Sequence, residues 1–386
     1  MKCAAVSTTN PDGMDALPGL CNRLKQQLNG KNPDLVMVFF TPHHSGEAEH
    51  FREGILQALE PDVILGGPGV GVIGESEIES MAGLVLWGAC WPDAIIEPFH
   101  LEMDEVDGEP SLVGWPTEVS DGATAILLAD PYTSPVDQVI SGLGERFPKM
   151  PVIGGIISGS QGPGEALLLS RDAILDEGCT GIIVGGSVRC DPLVSQGCRP
   201  VGHHFVITSA ERNVIASLGG KPALQQLTEL FQELDPGDKE KIQKGEFHVG
   251  RVIDERKSSF QSEDFLVRNV LGQQNGALAI SDLVRPGQTV QFMVRDSESA
   301  SSELTKMVQT HADRGPALGA LLFSCNGRGQ RFFEIENHDL GVVQNGFPDL
   351  PTAGFFAGGE IGPVGGDSFV HGFTASIALF RAQEGS

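Results

Sequence analysis

Aromatic side chains are scarce in this chain, with one Tyr, Tyr132, and three Trp among 386 residues. That scarcity argues against a stacking platform for single-stranded nucleic acid. Basic residues are few as well. The 26 Lys and Arg stand against 51 Asp and Glu, leaving a formal charge of −25. Such a surface repels phosphate backbones and anionic headgroups, so no nucleic-acid or membrane-surface partner is expected. The seven cysteines are an odd number with no CxxC spacing, which argues against a zinc site and against a disulfide framework. No apolar run approaches the length of a transmembrane helix. The opening MKCAAVSTTNPDG has neither the basic nor the apolar region of a secretory signal. The expectation is a cytoplasmic protein with reduced thiols, no metal and no membrane insertion.

Glycine is abundant instead. Its 50 residues are roughly twice the usual share, with no collagen period, so they belong to turns. A loose internal repeat organises them. An apolar strand, LVMVFF, leads to the helical HFREGILQALE, then VILGG, a glycine loop and the strand GLVLWGA. The pattern returns as ATAILLAD, PYTSPVDQVISGLGERF, PVIGG and EALLLS. It returns again as ALLFSCNGRG, TAGFFAGGEIGPVGG and FTASIALF. Each copy reads as β-α-β-β with the helix crossing between strands. The expected fold is α/β with mixed sheets, in two domains built from such units with helices outside. A layered α-β-β-α sandwich is a variant of it.

Other stretches fill in the plan. TGIIVGG and GHHFVITSA read as a strand pair bridged by a proline-bearing loop, and the first 30 residues as a poor core contributor. KPALQQLTELFQEL carries apolar residues at helical spacing, and the domain boundary falls just before it. The division is an N-terminal extension over 1–33, a first domain over 34–220 and a second over 221–386.

Several constellations have chemistry in them. GVGVIG at Gly69–Gly74 satisfies GxGxxG after a strand. The helix candidate behind it, ESEIESM, is too short for a crossover, and Glu75, Glu77 and Glu79 put negative charge where a phosphate would sit. A turn lining a cleft remains, with Glu75 a secondary candidate. In the last third, Asn326, Gly327, Arg328 and Gly329 follow a buried strand end, where open α/β sheets bind ligands. Arg328 offers a planar fork for a carboxylate and Asn326 both a donor and an acceptor. With Gly358, Glu360 and His371 they form the candidate binding set, Arg328 and Glu360 dividing the two charges of an amino acid. The alternative is an Arg–Glu pair that only stabilises two turns. Cys325, His371 and Asp339 (or His338) would make a cysteine triad on paper, and Cys325 and Asp339 are otherwise secondary site candidates. His43, His44 and His50 are a metal set only if their loop folds back. A single histidine is a candidate haem ligand.

The segments GALLFSCNGRG and PTAGFFAGGEIGPVGGDSFVHGFTASIALF closely resemble the C-terminal half of the FIST family. Residues from about 34 to 220 resemble its N-terminal half more loosely. The resemblance implies a small-ligand sensing module of bacterial signal transduction, with amino acids the suggested ligand class; some similar proteins are implicated in haem binding and nitric oxide signalling. No kinase, cyclase or methyl-acceptor segment is expected among these 386 residues. Output is therefore expected through a separate signalling protein such as a kinase or cyclase. The reading favours a non-catalytic sensor without a cofactor. A haem sensor and a Cys325/His371 hydrolase or transferase are its competitors.

Overall fold

The structure, a computed structural model, describes residues 1–383 apart from the side chain of Glu263. The chain forms two compact units. One comprises Met1–Ser195, Leu304–Val370 and the stretch from Thr374; the other comprises Gln196–Glu303 with His371–Phe373. This partition in space differs from a cut of the sequence near residue 220.

The first unit holds three copies of one arrangement. Copy one runs β1 (Lys2–Thr8), α1 (Gly13–Gln27), β2 (Leu35–Phe40), α2 (Ala48–Leu59), β3 (Val63–Pro68), β4 (Gly71–Ile73), β5 (Glu77–Glu79) and β6 (Leu84–Cys90). Copy two runs β7 (Ala94–Val106), β8 (Glu109–Val113), β9 (Thr124–Ala129), α3 (Val136–Arg146), β10 (Val152–Ile156), β11 (Leu168–Ser170), β12 (Ile174–Leu175) and β13 (Cys179–Gly186). Copy three opens with β14 (Val188–Ser195). The chain then builds the second unit from β15 (Cys198–Glu211), β16 (Val214–Leu218), β17 (Lys221–Pro222), α4 (Ala223–Glu233), α5 (Pro236–Gln243), β18 (Phe247–Val252), β19 (Phe265–Gln274), β20 (Ala277–Ile280) and β21 (Thr289–Arg295). Copy three resumes through α6 (Ser297–Ala312), β22 (Gly319–Cys325), α7 (Gln330–Phe333), α8 (His338–Gly346), β23 (Thr352–Ala357), β24 (Gly359–Val364), β25 (Asp367–His371) and β26 (Ala375–Ala382).

The strands starting at Leu35, Thr124 and Gly319 have equivalent neighbours. Each pairs in parallel with the strand after its helix and antiparallel with the last strand of its copy. The glycine loops are the surprise. They form short hairpins that leave their own copy and extend a neighbour's sheet. β4–β5 joins β23, β11–β12 joins β3, and β24–β25 joins β10, which closes a three-way exchange.

Parallel strands need close backbone approach at one point in every copy. Gly66, Gly154 and Gly354 stand opposite Val38, Leu127 and Leu322. A Cβ on any of them would clash with that partner's carbonyl oxygen, so these glycines are structural.

Three sheets enclose a common core, where a layered sandwich would have two. Phe39, Phe323 and Phe355 meet at its centre with ring centroids 5.4–6.5 Å apart. Burying each such side chain contributes about 1.5–3 kcal/mol. The helices cover the outer faces through separate apolar clusters.

The N-terminal stretch corrects the sequence reading. Leu17, Leu20, Cys21 and Leu24 recur at helical spacing on α1 and are buried, and β1 pairs with β6 along its whole length. Its polar residues fill only the opposite face. The proline-bearing stretch expected as a loop is the strand β14, paired with the sheet-interior strand β26.

The second unit is a closed antiparallel barrel and contains no copy of the repeat. Its ring runs β15–β21–β18–β19–β20–β16 and back to β15. β15 and β19 each pair with one neighbour along their first half and another along their second. Register shifts in β15 let it turn the corner.

Candidate functional site

GVGVIG does not form a dinucleotide loop, because Gly71–Ile73 is a strand and Glu77–Glu79 its hairpin partner, with no helix following. Glu75 is spent elsewhere, ion-paired with Arg23 at 2.6 Å and accepting the Ser7 amide at 2.9 Å.

The polar residues of the last third do converge, in an order the sequence did not suggest. Arg328 is buried and donates from Nε and Nη2 to Asp339 at 2.7 and 2.8 Å. Asp339 also accepts Ser324 Oγ at 2.7 Å and lies 2.8 Å from His338 Nδ1. Burial opposes its ionisation, but Arg328, His338 and Ser324 outweigh it and hold the carboxyl below the usual range. The expected Arg328–Glu360 pair is therefore an Arg328–Asp339 pair, and Asp339 is engaged by Arg328, Ser324 and His338 together. The Phe333 ring stacks on His338 at 3.3 Å and lies 4.9 Å from the Arg328 guanidinium.

Glu360 lies fully buried on β24. Its Oε2 accepts the Thr374 amide and hydroxyl at 3.1 and 2.7 Å, while Oε1 has no hydrogen-bond partner. Burial pushes its carboxyl up to about 8, against the opposing pull of Thr374, the Cys325 thiol and Arg328.

The repeat shows how unusual this side chain is. On the exchanged hairpins, Leu169, Ile361 and Ile73 stand opposite Gly66, Gly154 and Gly354. The residue before each is Leu168, Glu360 and Val72, all fully buried. The fold is satisfied by an aliphatic side chain there in two copies out of three.

Cys325 has a different explanation. Three residues beyond Val38, Leu127 and Leu322 come Thr41, Asp130 and Cys325, each accepting a backbone amide at its strand end, Asp130 and Cys325 from their own turn and Thr41 from the segment entering β6. Thr41 Oγ1 accepts the Gly83 amide, Asp130 accepts the Thr133 amide, and Cys325 Sγ accepts the Gly327 amide at 3.5 Å. The thiol is buried.

The remaining candidates take separate places. Asn326 is exposed at the tip of the turn, its amide bonded to the Ala357 carbonyl. Gly327 is half-buried beside it, and Gly329 takes φ +82° at the start of α7. The Gly358 amide donates to the Ile156 carbonyl. His371 is buried and is grouped with the barrel unit. The histidine set is not a chelate: His44 is buried beside Glu47 and His43 faces Thr41. Among the described residues no three metal-ligating side chains are grouped.

Sequence reasoning missed Glu77, Glu79, Phe333 and Thr374. Glu77 Oε1 accepts the Leu340 amide at 2.8 Å. Burial and then the charge of Asp339 push its carboxyl up to about 7. Only the hairpin exchange brings copy one to this place, and nothing local in the sequence signals it.

Two family models match the chain, meeting within the barrel unit. Residues 34–221 match the FIST N domain and residues 223–363 the FIST C domain. The chain belongs to the FIST family. FIST domains are signal-transduction sensor domains. An uncharacterized protein of Mycobacterium tuberculosis is 34% identical over 385 residues, covering 98% of this chain and all of that protein. One from Mycobacterium bovis is 35% identical over 377 residues, covering 96% of this chain and 97% of that protein. A more distant one, from Methanocaldococcus jannaschii, is 23% identical over 116 residues, 30% of this chain and 22% of that protein. Among the described residues of this FIST protein, no helix is long and apolar enough to cross a membrane.

Proposed function

We propose that this FIST protein is a non-catalytic sensor that binds a small molecule at the cluster around Glu360, Arg328 and Asn326. Amino acids are the ligand class suggested by the family resemblance, and a separate signalling protein such as a kinase or cyclase receives the output. The carrying observation is Glu360 itself. A buried carboxyl costs free energy, and Val72 and Leu168 meet the packing need at the same position without it. Retaining a carboxyl there is understandable if it serves recognition. Its Oε1 has no hydrogen-bond partner in the fold. Carrying the proton at neutral pH because burial raises the carboxyl to about 8, it is a donor for a ligand acceptor, while the Arg328–Asp339 pair supplies charge of both signs beside it. Catalysis through Cys325 has less support, because the thiol closes a turn and Asp339 is engaged.

A thermal-shift screen across amino acids, nucleotides and haem tests this reading. A ligand present at 100 times its Kd adds about 2.7 kcal/mol of stability. Stabilisation by one class supports the sensor, a red-brown haem-loaded protein favours the haem alternative, and silence across the panel overturns the proposal.

A further inference from the structure

We propose that Gln330–Asn337 is a lid over Arg328, held shut by the β4–β5 hairpin of copy one and able to open without unfolding the sheets. As a gate for ligand the lid rests on the sensor reading, but its opening is a property of the chain alone.

The connection from first strand to helix has seven residues in copy one (41–47) and six in copy two (130–135). In copy three it has twelve (326–337). The additional length carries α7, whose Phe333 covers Arg328 and His338 from outside. Both ends of the segment are fastened to β5. The Gln330 amide donates to Glu79 Oε1 at 2.9 Å, and the Glu77 amide donates to Asn337 Oδ1 at 2.6 Å. The Glu79 carboxylate lies against Gly329, where a Cβ would come within 2.6 Å of it. Between these fastenings the chain is exposed from Glu334 to Glu336, with Ile335 58% exposed. Glu334 and Asn337 take φ +58° and +57°, left-handed conformations that are uncommon for Glu and readily adopted by Asn. Two hydrogen bonds to a neighbour's hairpin, a covering ring and an exposed middle make a segment that can swing as a unit. Its motion would uncover a buried guanidinium.

Phenylglyoxal labelling of the full chain, read by peptide mass spectrometry, tests the lid without any ligand. Arg381, as deeply buried in the same unit, is the internal control. Asn337→Gly keeps the left-handed backbone and removes the side-chain acceptor, and Glu79→Ala removes the other fastening. Each should raise labelling of Arg328 relative to Arg381 roughly fivefold, the effect of losing one hydrogen bond. A disulfide between Glu79→Cys and Gln330→Cys should lower it below wild type, with recovery on reduction. An unchanged Arg328 to Arg381 ratio in both single variants overturns the lid, as does a parallel rise at both arginines, which marks global unfolding. A lid that opens in a protein silent to every ligand would leave this inference standing and defeat the sensor reading alone.

Discussion

Glu360 and Val72 occupy the same position in two copies of one repeat, each on an exchanged hairpin, one residue before the side chain facing the conserved-in-space glycine of its host strand. One is a carboxyl and the other a hydrocarbon, and both are fully buried. That substitution within a single chain separates what the fold requires from what it carries in addition.

The first consequence is a pH dependence. The Glu360 carboxyl, about 8 in the folded protein, lies above its ordinary 4.5. The unfolded chain gives up that proton first, so this group's contribution is full below pH about 4.5 and is lost as pH rises towards 8. Glu77, at about 7, has the same sign. Urea unfolding at pH 5 and pH 8 should show wild type losing more stability over that interval than Glu360→Gln, by a few kcal/mol. Equal losses in the two proteins would refute the assignment.

Arg328 has the opposite character. Its pairing with Asp339 is inside the protein, and removing one partner strands the other as an uncompensated charge. Arg328→Ala should therefore cost about 3–5 kcal/mol. Arg328→Met with Asp339→Leu should recover most of that loss. Denaturant midpoints of the single and double variants decide it, and a nearly neutral single variant would contradict the pairing.

The strand glycines give a prediction about the repeat. Gly66→Ala, Gly154→Ala and Gly354→Ala should each destabilise by roughly 1–3 kcal/mol or more through overpacking. Gly144→Ala, on α3 with open space around it, should stabilise slightly. Thermal midpoints that rank Gly144→Ala with the other three would mean the close approach is not needed.

Much of this fold was legible because apolar strands and helices recur with the same local signals. Leu35–Phe40, Ala123–Asp130 and Gly319–Gly329 announce equivalent strand ends, and KPALQQLTELFQEL announces α4. The hairpin exchange was not legible. Gly69–Gly74 and Gly358–Gly366 read as loops because a strand that completes another copy's sheet has no local partner to reveal it. The barrel was hidden for a related reason: ring closure depends on long-range pairing of β15 with β21 and of β16 with β20. At the site, Arg328, Asp339 and Glu360 stood out as charges in glycine-rich surroundings. Their partners did not, since Glu77 and Glu79 come from some 250 residues away.

The central claim is that Glu360 is present for a ligand and not for the fold. Isothermal calorimetry of wild type and Glu360→Val, with whichever compound stabilises wild type in the screen, tests it most directly. Val reproduces what copy one places there, so the variant should fold with a Tm at or above wild type at pH 8, and the heat of binding should vanish. Binding of undiminished affinity to a folded Glu360→Val protein would contradict the account.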